Sequence, residues 1–254
     1  MRQLVIVVAL AVFVAACSDA GGQEPPTSGD DRLFVPEGLS VKKPTDGSSG
    51  AFNLLALTLQ QRQGKTEVYL ALRNDGETPA CTAAFTVALL DVNGDTLATG
   101  TRGLPARQFY RFMLDEGSEP TVAGCVAPGE VTMGAILDLE PPASESGLDG
   151  IVLSYWLTYW NLSGITPLEG GVTLDNVRTV TRSDGVAYTG VLVNGLAEPR
   201  PRAASVFPVN RVGRPLGVAW SEESAELPPG GRWEFETTTV PEAGSGFVAY
   251  PVGQ

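Results

Sequence analysis

The chain has 254 residues, 17 Lys plus Arg against 29 Asp plus Glu, a formal net charge of −12 and no histidine. The missing imidazole excludes a Ser-His-Asp triad, a His general base and a His-ligated metal, and the acidic balance argues against a nucleic-acid partner, whose phosphates select clustered Lys and Arg. Gly (30) and Pro (19) punctuate the chain into short segments, the pattern of an all-β sandwich or barrel, and the length allows one or two domains.

Leu4–Cys17 reads LVIVVALAVFVAAC behind Met1-Arg2-Gln3. As a helix it would rise about 21 Å at roughly 1.5 Å per residue, short of the roughly 30 Å of a bilayer core. A basic start, an apolar middle and a small-residue exit predict a secretory signal peptide instead. Val14-Ala15-Ala16-Cys17 resembles the lipobox of bacterial lipoproteins, where the cysteine sulfur is lipidated and the chain is cut just before it. That resemblance implies a signal peptide over residues 1–16 and Cys17 as an acylated N-terminus held in a membrane. With Ser18 next, where an Asp would favour the inner membrane, it implies the outer membrane of the cell envelope. Residues 17–50 are expected to be a lipidated N-terminus and flexible linker: Gly21-Gly22, Pro25-Pro26 and Asp46-Gly47-Ser48-Ser49-Gly50 leave too little apolar surface to offset ordering entropy.

Residues 51–160 read as a first β-sandwich. Leu55, Leu57 and Leu59 alternate, as do Val68, Leu70 and Leu72, the period of a half-buried strand. Asn74-Asp75-Gly76 turns the chain. Phe85, Val87 and Leu89 predict one face of the next strand and Ala84, Thr86, Ala88 and Leu90 the other. Asn93-Gly94 is a hairpin signal and Thr96–Thr101 returns. A long loop is expected over 102–127; then Val131, Met133, Ala135, Leu137 and Leu139 share a face, and Gly150–Trp160 closes the module.

The same grammar recurs after a join at 161–171. In residues 172–254, Ser183-Asp184-Gly185 matches Gln63-Gly64-Lys65, Asn194-Gly195 falls where Asn74-Asp75-Gly76 does, Val212-Gly213-Arg214 echoes Asn93-Gly94-Asp95, and Pro229-Gly230 echoes Pro128-Gly129. Ordered matches of this kind predict a tandem repeat, each unit expected to fold separately.

Val68–Gly76, Phe85–Asp91, Asn93-Gly94-Asp95 and Pro128-Gly129-Glu130 resemble the FxLYD type of immunoglobulin-like domain, common in bacterial envelope lipoproteins and usually without assigned activity. Leu90 stands where that motif has Tyr, and Asn210 stands where the first module has Asp91. The resemblance implies two immunoglobulin-like antiparallel β-sandwiches in tandem and no catalytic residues.

Three features are candidates for function. Tyr155-Trp156-Leu157-Thr158-Tyr159-Trp160 puts Trp156 and Trp160 on one side of a strand and the tyrosines on the other, so one pair is expected in the core and the other at the contact between modules or on a ligand. Phe109, Tyr110, Arg111 and Phe112, inside the long loop, have the aromatic-plus-Arg composition of a contact surface. Arg200-Pro201-Arg202 reads as a solvated basic turn. Cys81 and Cys125, the two cysteines besides Cys17, are expected to pair, since export reaches an oxidising compartment and the strand order puts both at one end of the first sandwich; closing that loop is worth roughly 4 kcal/mol in the chain-entropy model. Asp91 and Asp95 read as turn residues, and no metal or cofactor is expected.

The expected function is that of a non-catalytic interaction or structural module, its partners the membrane, through the lipid, and another envelope protein or a cell-wall component. The alternatives are a carrier or sensor of an apolar or sugar ligand using the exposed aromatics, and a hydrolase using the loop carboxylates.

Overall fold

The computed structural model describes residues 40–42, 51–62, 65–113, 120–139, 152–161 and 165–251. Cys17 lies outside them, as do Asp115, Glu116 and Glu119, the loop carboxylates of the hydrolase alternative, and the side chains of Trp156, Tyr159 and Trp160.

The regular structure is all β. In the first half, β2 (Phe52–Arg62), β3 (Lys65–Asn74) and β8 (Val131–Leu139) form a sheet in the order β2-β3-β8. Across from it lie β9 (Val152–Asn161), β4 (Ala80–Leu90) and β5 (Thr96–Gly103), with β4 in the middle. In the second half, β11 (Val172–Arg182), β12 (Gly185–Asn194) and β15 (Arg232–Glu236) form a sheet in the order β11-β12-β15. Its companion is β14-β13-β16, built from β13 (Arg200–Val209), β14 (Ala219–Leu227) and β16 (Gly246–Pro251). Strand for strand the two halves have one topology, every pairing in it antiparallel.

Alternation places the cores. Leu57, Leu59, Val68, Leu70 and Leu72 meet Phe85, Val87, Leu89, Leu153, Tyr155 and Leu157 inside the first half. Leu192, Ala204, Leu227, Trp233 and Phe235 fill one part of the second half, and Tyr188, Val206, Ala219, Val240 and Phe247 another. Two expected faces are broken by bulges, each of which inserts a residue and reverses the alternation. The shift between Leu54 and Ala56 turns Leu55 away from the core that holds Leu57, and an irregularity opposite Thr66/Val68 puts Leu139 in the core although Val131 and Met133 point outward. The repeats also exchange a large–small pair. Leu70 lies opposite Gly134, where a Cβ would collide with the Phe85 ring; at the equivalent place Gly190 lies opposite Phe235, whose ring fills the same space.

Two local devices recur. Asn74 and Asn194 are fully buried at the ends of β3 and β12. Asn74 donates from Nδ2 to the carbonyls of Thr78 (3.0 Å) and Val126 (2.9 Å) and accepts from the Gly76 amide (3.0 Å). Asn194 does the same with Glu198 (2.8 Å), Leu227 (3.0 Å) and the Leu196 amide (3.0 Å). After β4 and β13, Asp91 and Asn210 each accept two amides with one Oδ1, from Asn93 and Asp95 and from Val212 and Arg214. Gly94 and Gly213 follow at φ 90° and 77°, a left-handed conformation that suits glycine. The Asp91 carboxyl is held below its ordinary value, first by the Asp95 amide. An amide does the same work in Asn210, so the turn needs an acceptor, not a charge.

The halves are not independent. The outer face of β2-β3-β8 (Ala56, Tyr69, Ala71, Val131, Met133) and that of β14-β13-β16 (Phe207, Val209, Val218, Val248, Tyr250) form one buried apolar cluster. Thr58 donates to the Pro215 carbonyl at 2.7 Å, Gln60 to that of Leu216 at 2.9 Å, and Tyr250 to that of Val131 at 3.1 Å. The outer face of β11-β12-β15, the counterpart of the covered sheet, is polar: Arg182 pairs with Glu236 at 2.7 Å, Arg178 reaches Thr189 at 3.3 Å, and Arg232 lies 3.8 Å from Asp175.

The stretch read as a flexible linker contributes β1 (Ser40–Lys42), which pairs parallel with Val152–Ser154 of β9 and turns the half-buried Val41 toward the first core.

Candidate functional site

Residues 104–125 stand in the first half where the second has only residues 223–226, a bulge in β14 opposite Pro201 and Arg202 of β13. The expected long loop over 102–127 is therefore not a loop. It holds β6 (Gln108–Phe112) and β7 (Thr121–Val126), an antiparallel pair, and β6 takes β10 (Thr166–Pro167) from the join as a further strand.

This insertion does not offer its aromatics to a ligand. Phe109, Tyr110 and Phe112 are 2%, 6% and 5% exposed, which corrects their reading as a contact surface. They alternate imperfectly in a five-residue strand, and each finds a wall. Phe109 enters the core of the second half beside Leu192, Leu227 and Trp233, while Tyr110 and Phe112 pack around the two cysteines with Ala123 and Ile165. Arg111 alone keeps a half-exposed side chain, paired with Glu198 at 3.2 Å. Glu198 also pairs with Arg200 at 3.0 Å, and the Arg200 guanidinium lies 5.5 Å over the Phe109 ring. Arg200-Pro201-Arg202 is thus the start of β13 and not a solvated turn; Arg202 pairs with Glu223 at 3.0 Å. Sequence reading missed this because the partners stand far apart in the chain.

Cys81 and Cys125 form the expected disulfide. They face each other directly on β4 and β7, with Cα atoms 4.0 Å apart and no exposed surface. In the second half the same pair of positions holds Pro201 and Glu226, so the bridge belongs to the half that carries the insertion and fixes the root of its hairpin. Replacing both cysteines by serine is expected to cost about 2–5 kcal/mol, read as an earlier midpoint in urea. An unchanged midpoint would mean that packing alone holds the hairpin.

Of the aromatic strand, Tyr155 is buried in the first core. The seam between the halves is lined by Tyr69, Phe207 and Tyr250; the expected contact of Trp156 and Trp160 with the second module or a ligand falls on side chains outside the described residues. Trp156 stands opposite Thr86, and Trp160 opposite Cys81.

One cluster of titratable groups sits at the seam. The Arg107 guanidinium lies 5.0 Å over the Tyr250 ring, and Glu130, which accepts the Ala127 amide at 2.8 Å, lies near both Arg107 and Tyr110. Burial pushes the phenols of Tyr250 and Tyr110 up, and burial likewise raises the Glu130 carboxyl, against the Ala127 and Arg107 amides and the Arg107 charge, which lower it. A group raised on folding contributes most below its unfolded value, and that contribution fades as pH rises through the raised value. Glu130→Gln is therefore expected to be more stable than the parent at pH 7, with the difference vanishing below about pH 4; denaturant midpoints measured at both pH values check it. Among the described residues no group of three or more acidic or cysteine side chains is placed to hold a metal.

No protein-family model and no curated protein matches the chain. A solved structure with some likeness is that of red sea bream transglutaminase, at 13% identity and a TM-score of 0.19, covering 78% of this chain and 27% of that one. The chain spans about a quarter of that structure, and a likeness so slight carries no argument about fold or function.

Proposed function

We propose that this chain is a lipid-anchored protein of the bacterial cell envelope, more specifically of the outer membrane, that acts by contact and not by catalysis. The observation that carries the reading is the distribution of its three cysteines. Two are joined in a buried disulfide, the state that an oxidising, extracytoplasmic compartment favours. The third, Cys17, ends an apolar run in Val14-Ala15-Ala16-Cys17, the pattern of a lipidation site. A lipid at Cys17 and two β-rich repeats joined by an apolar seam describe a rigid body on a membrane tether, and the common strand order supports the immunoglobulin-like reading of each repeat. Its partner is another envelope protein or a cell-wall component. The ligand-carrier alternative loses support, since Phe109, Tyr110 and Phe112 are spent on packing.

Fractionation tests the anchor. The parent should sediment with membranes through a salt wash, whereas Cys17→Ala should be released, because a diacyl or triacyl anchor satisfies the need for more than one chain. Retention of Cys17→Ala in the washed membranes would sink the proposal.

A further inference from the structure

The seam sets like ends of the two repeats side by side. In the first repeat Asn74 ties the end of β3 to Thr78 and Val126, beside the start of β4, so the β2–β3 hairpin and Leu90 share the opposite end. Thr58 and Gln60, near that hairpin, bond the carbonyls of Pro215 and Leu216, which follow the Asn210 turn. At the other end Tyr250 bonds Val131. The Asp91 turn after β4 and the Asn210 turn after β13 therefore project from one end of the molecule. β1 enters there too, because Ser40 lies opposite Val152, and Val152 opposite Leu90.

That end carries two apolar tips. Among the described residues, Val92 (77%) and Val212 (72%) are the most exposed of the large apolar side chains, and each sits in one of these turns. Packed sheets lie about 10 Å apart, and the β2-β3-β8 sheet stands between the two that carry the turns, so the tips are roughly 20 Å apart. The opposite end is different. Its turns over 75–79 and 195–199 expose Asp75 and Glu77 and bury Leu196. The charges beside the tips offset one another: Asp91 and Asp95 flank Val92, and Arg211 and Arg214 flank Val212.

We propose that this end is a lipid-contact face. Val92 and Val212 rest at the boundary between headgroups and acyl chains of the bilayer that holds Cys17, so the strands stand upright on the membrane and the hairpin rooted at Cys81–Cys125 points away from it. Two valines bury too little to hold a free protein on a bilayer, but an anchor makes docking an intramolecular event, in which weak contacts suffice. Entry of β1 at this end selects it. The linker expected over residues 18–39 has a reach of about 27 Å, less than the roughly 36 Å of an eleven-residue strand such as β4, so the near end meets the bilayer first. The offsetting charges fit zwitterionic headgroups and make the contact indifferent to salt. The inference rests on the lipid-anchored reading proposed above, which brings the bilayer to this end.

The test supplies the anchor chemically. Residues 17–254 are coupled through the Cys17 thiol to a maleimide-headgroup lipid in phosphatidylcholine vesicles; Cys81 and Cys125, joined and buried, do not compete. Docking is thus measured whether or not cells acylate Cys17, and its failure is read apart from failure of the fractionation test. Val92→Trp and Val212→Trp are compared with Glu77→Trp at the opposite end, after subtracting the emission of the four native tryptophans. All three positions are exposed, so the fold is not at stake. Emission from the first two should shift to the blue and be quenched by phosphatidylcholine brominated high on its acyl chains, at low and high salt alike, while Glu77→Trp stays unquenched. Adding Val92→Asp to Val212→Trp should lower the quenching about fivefold, the worth of a partly buried valine. No quenching at the tips, equal quenching in all three variants, or no effect of Val92→Asp would each overturn the proposal. So would quenching lost at high salt, or a blue shift that follows the density of coupled protein, which would make a second copy the occupant.

Discussion

Residues 171–254 expressed alone should give an aggregated or unfolded product, although their strands are complete. Detached from the first half, they would expose Phe207, Val209, Val218, Val248 and Tyr250, all buried in the seam. Burial of such side chains is worth roughly 1.5–3 kcal/mol each, so five of them amount to about as much as the 5–15 kcal/mol by which a whole domain is stable. The fragment would also lose Phe109, which the first half inserts among Leu192, Leu227 and Trp233. The same reasoning predicts one cooperative unfolding transition for the intact chain, seen by calorimetry with equal calorimetric and van't Hoff enthalpies. A soluble, cooperatively melting fragment, or two resolved transitions in the intact chain, would show that the seam contributes little.

The second large effect is expected at the paired asparagines. Asn194→Ala removes three hydrogen bonds and leaves the Leu227 carbonyl buried without its donor. At about 1 kcal/mol for each bond, plus 1–3 for a buried group left unsatisfied, the loss is roughly 4–6 kcal/mol, measured in urea. Asn74→Ala should cost a similar amount, because its three bonds are the same. Aspartate at either position should be worse than alanine at neutral pH, since a carboxylate has no proton to give to two carbonyls. By contrast, exchanging Asp91 for Asn should change stability by less than about 0.5 kcal/mol, as Asn210 already shows that an amide serves that turn.

Why were the cores and the repeat legible in the sequence while the seam was not? A strand with one buried face writes its alternation plainly, and Phe85, Val87 and Leu89 or Val68, Leu70 and Leu72 could be placed from that period alone. A strand buried on both faces reads as a continuous apolar run. Val68-Tyr69-Leu70-Ala71-Leu72 and Phe247-Val248-Ala249-Tyr250 are such runs; the alternation of Val68, Leu70 and Leu72 accounts for only half of the first, and the other half of each run is the signal for a second layer. Gln108–Phe112 reads as loop because it is short and lies between turn residues; the strands that flank it, β7 and β10, and the second half that buries Phe109 stand too far away in the chain to show in a local pattern. Ser40–Lys42 is too short to carry any period. The disulfide could be argued from strand direction, because the Asn93-Gly94 hairpin fixes which end of the sheet each cysteine reaches.

The seam joins unlike surfaces: the β2-β3-β8 side of one repeat meets the β14-β13-β16 side of the next. A head-to-tail contact of this kind is open-ended, and with identical units it would propagate into a filament. The second repeat offers no matching apolar face. Where the first presents Ala56, Ala71 and Met133 to its neighbour, the second presents Arg182, Glu236, Arg232 and Asp175, so a third unit would have to strip paired charges of water in order to dock. The polar sheet works as a terminal cap in the sense used for solenoid arrays. Reversing that choice, with alanine and methionine set into β11 and β15, is the change by which this chain would begin to polymerise.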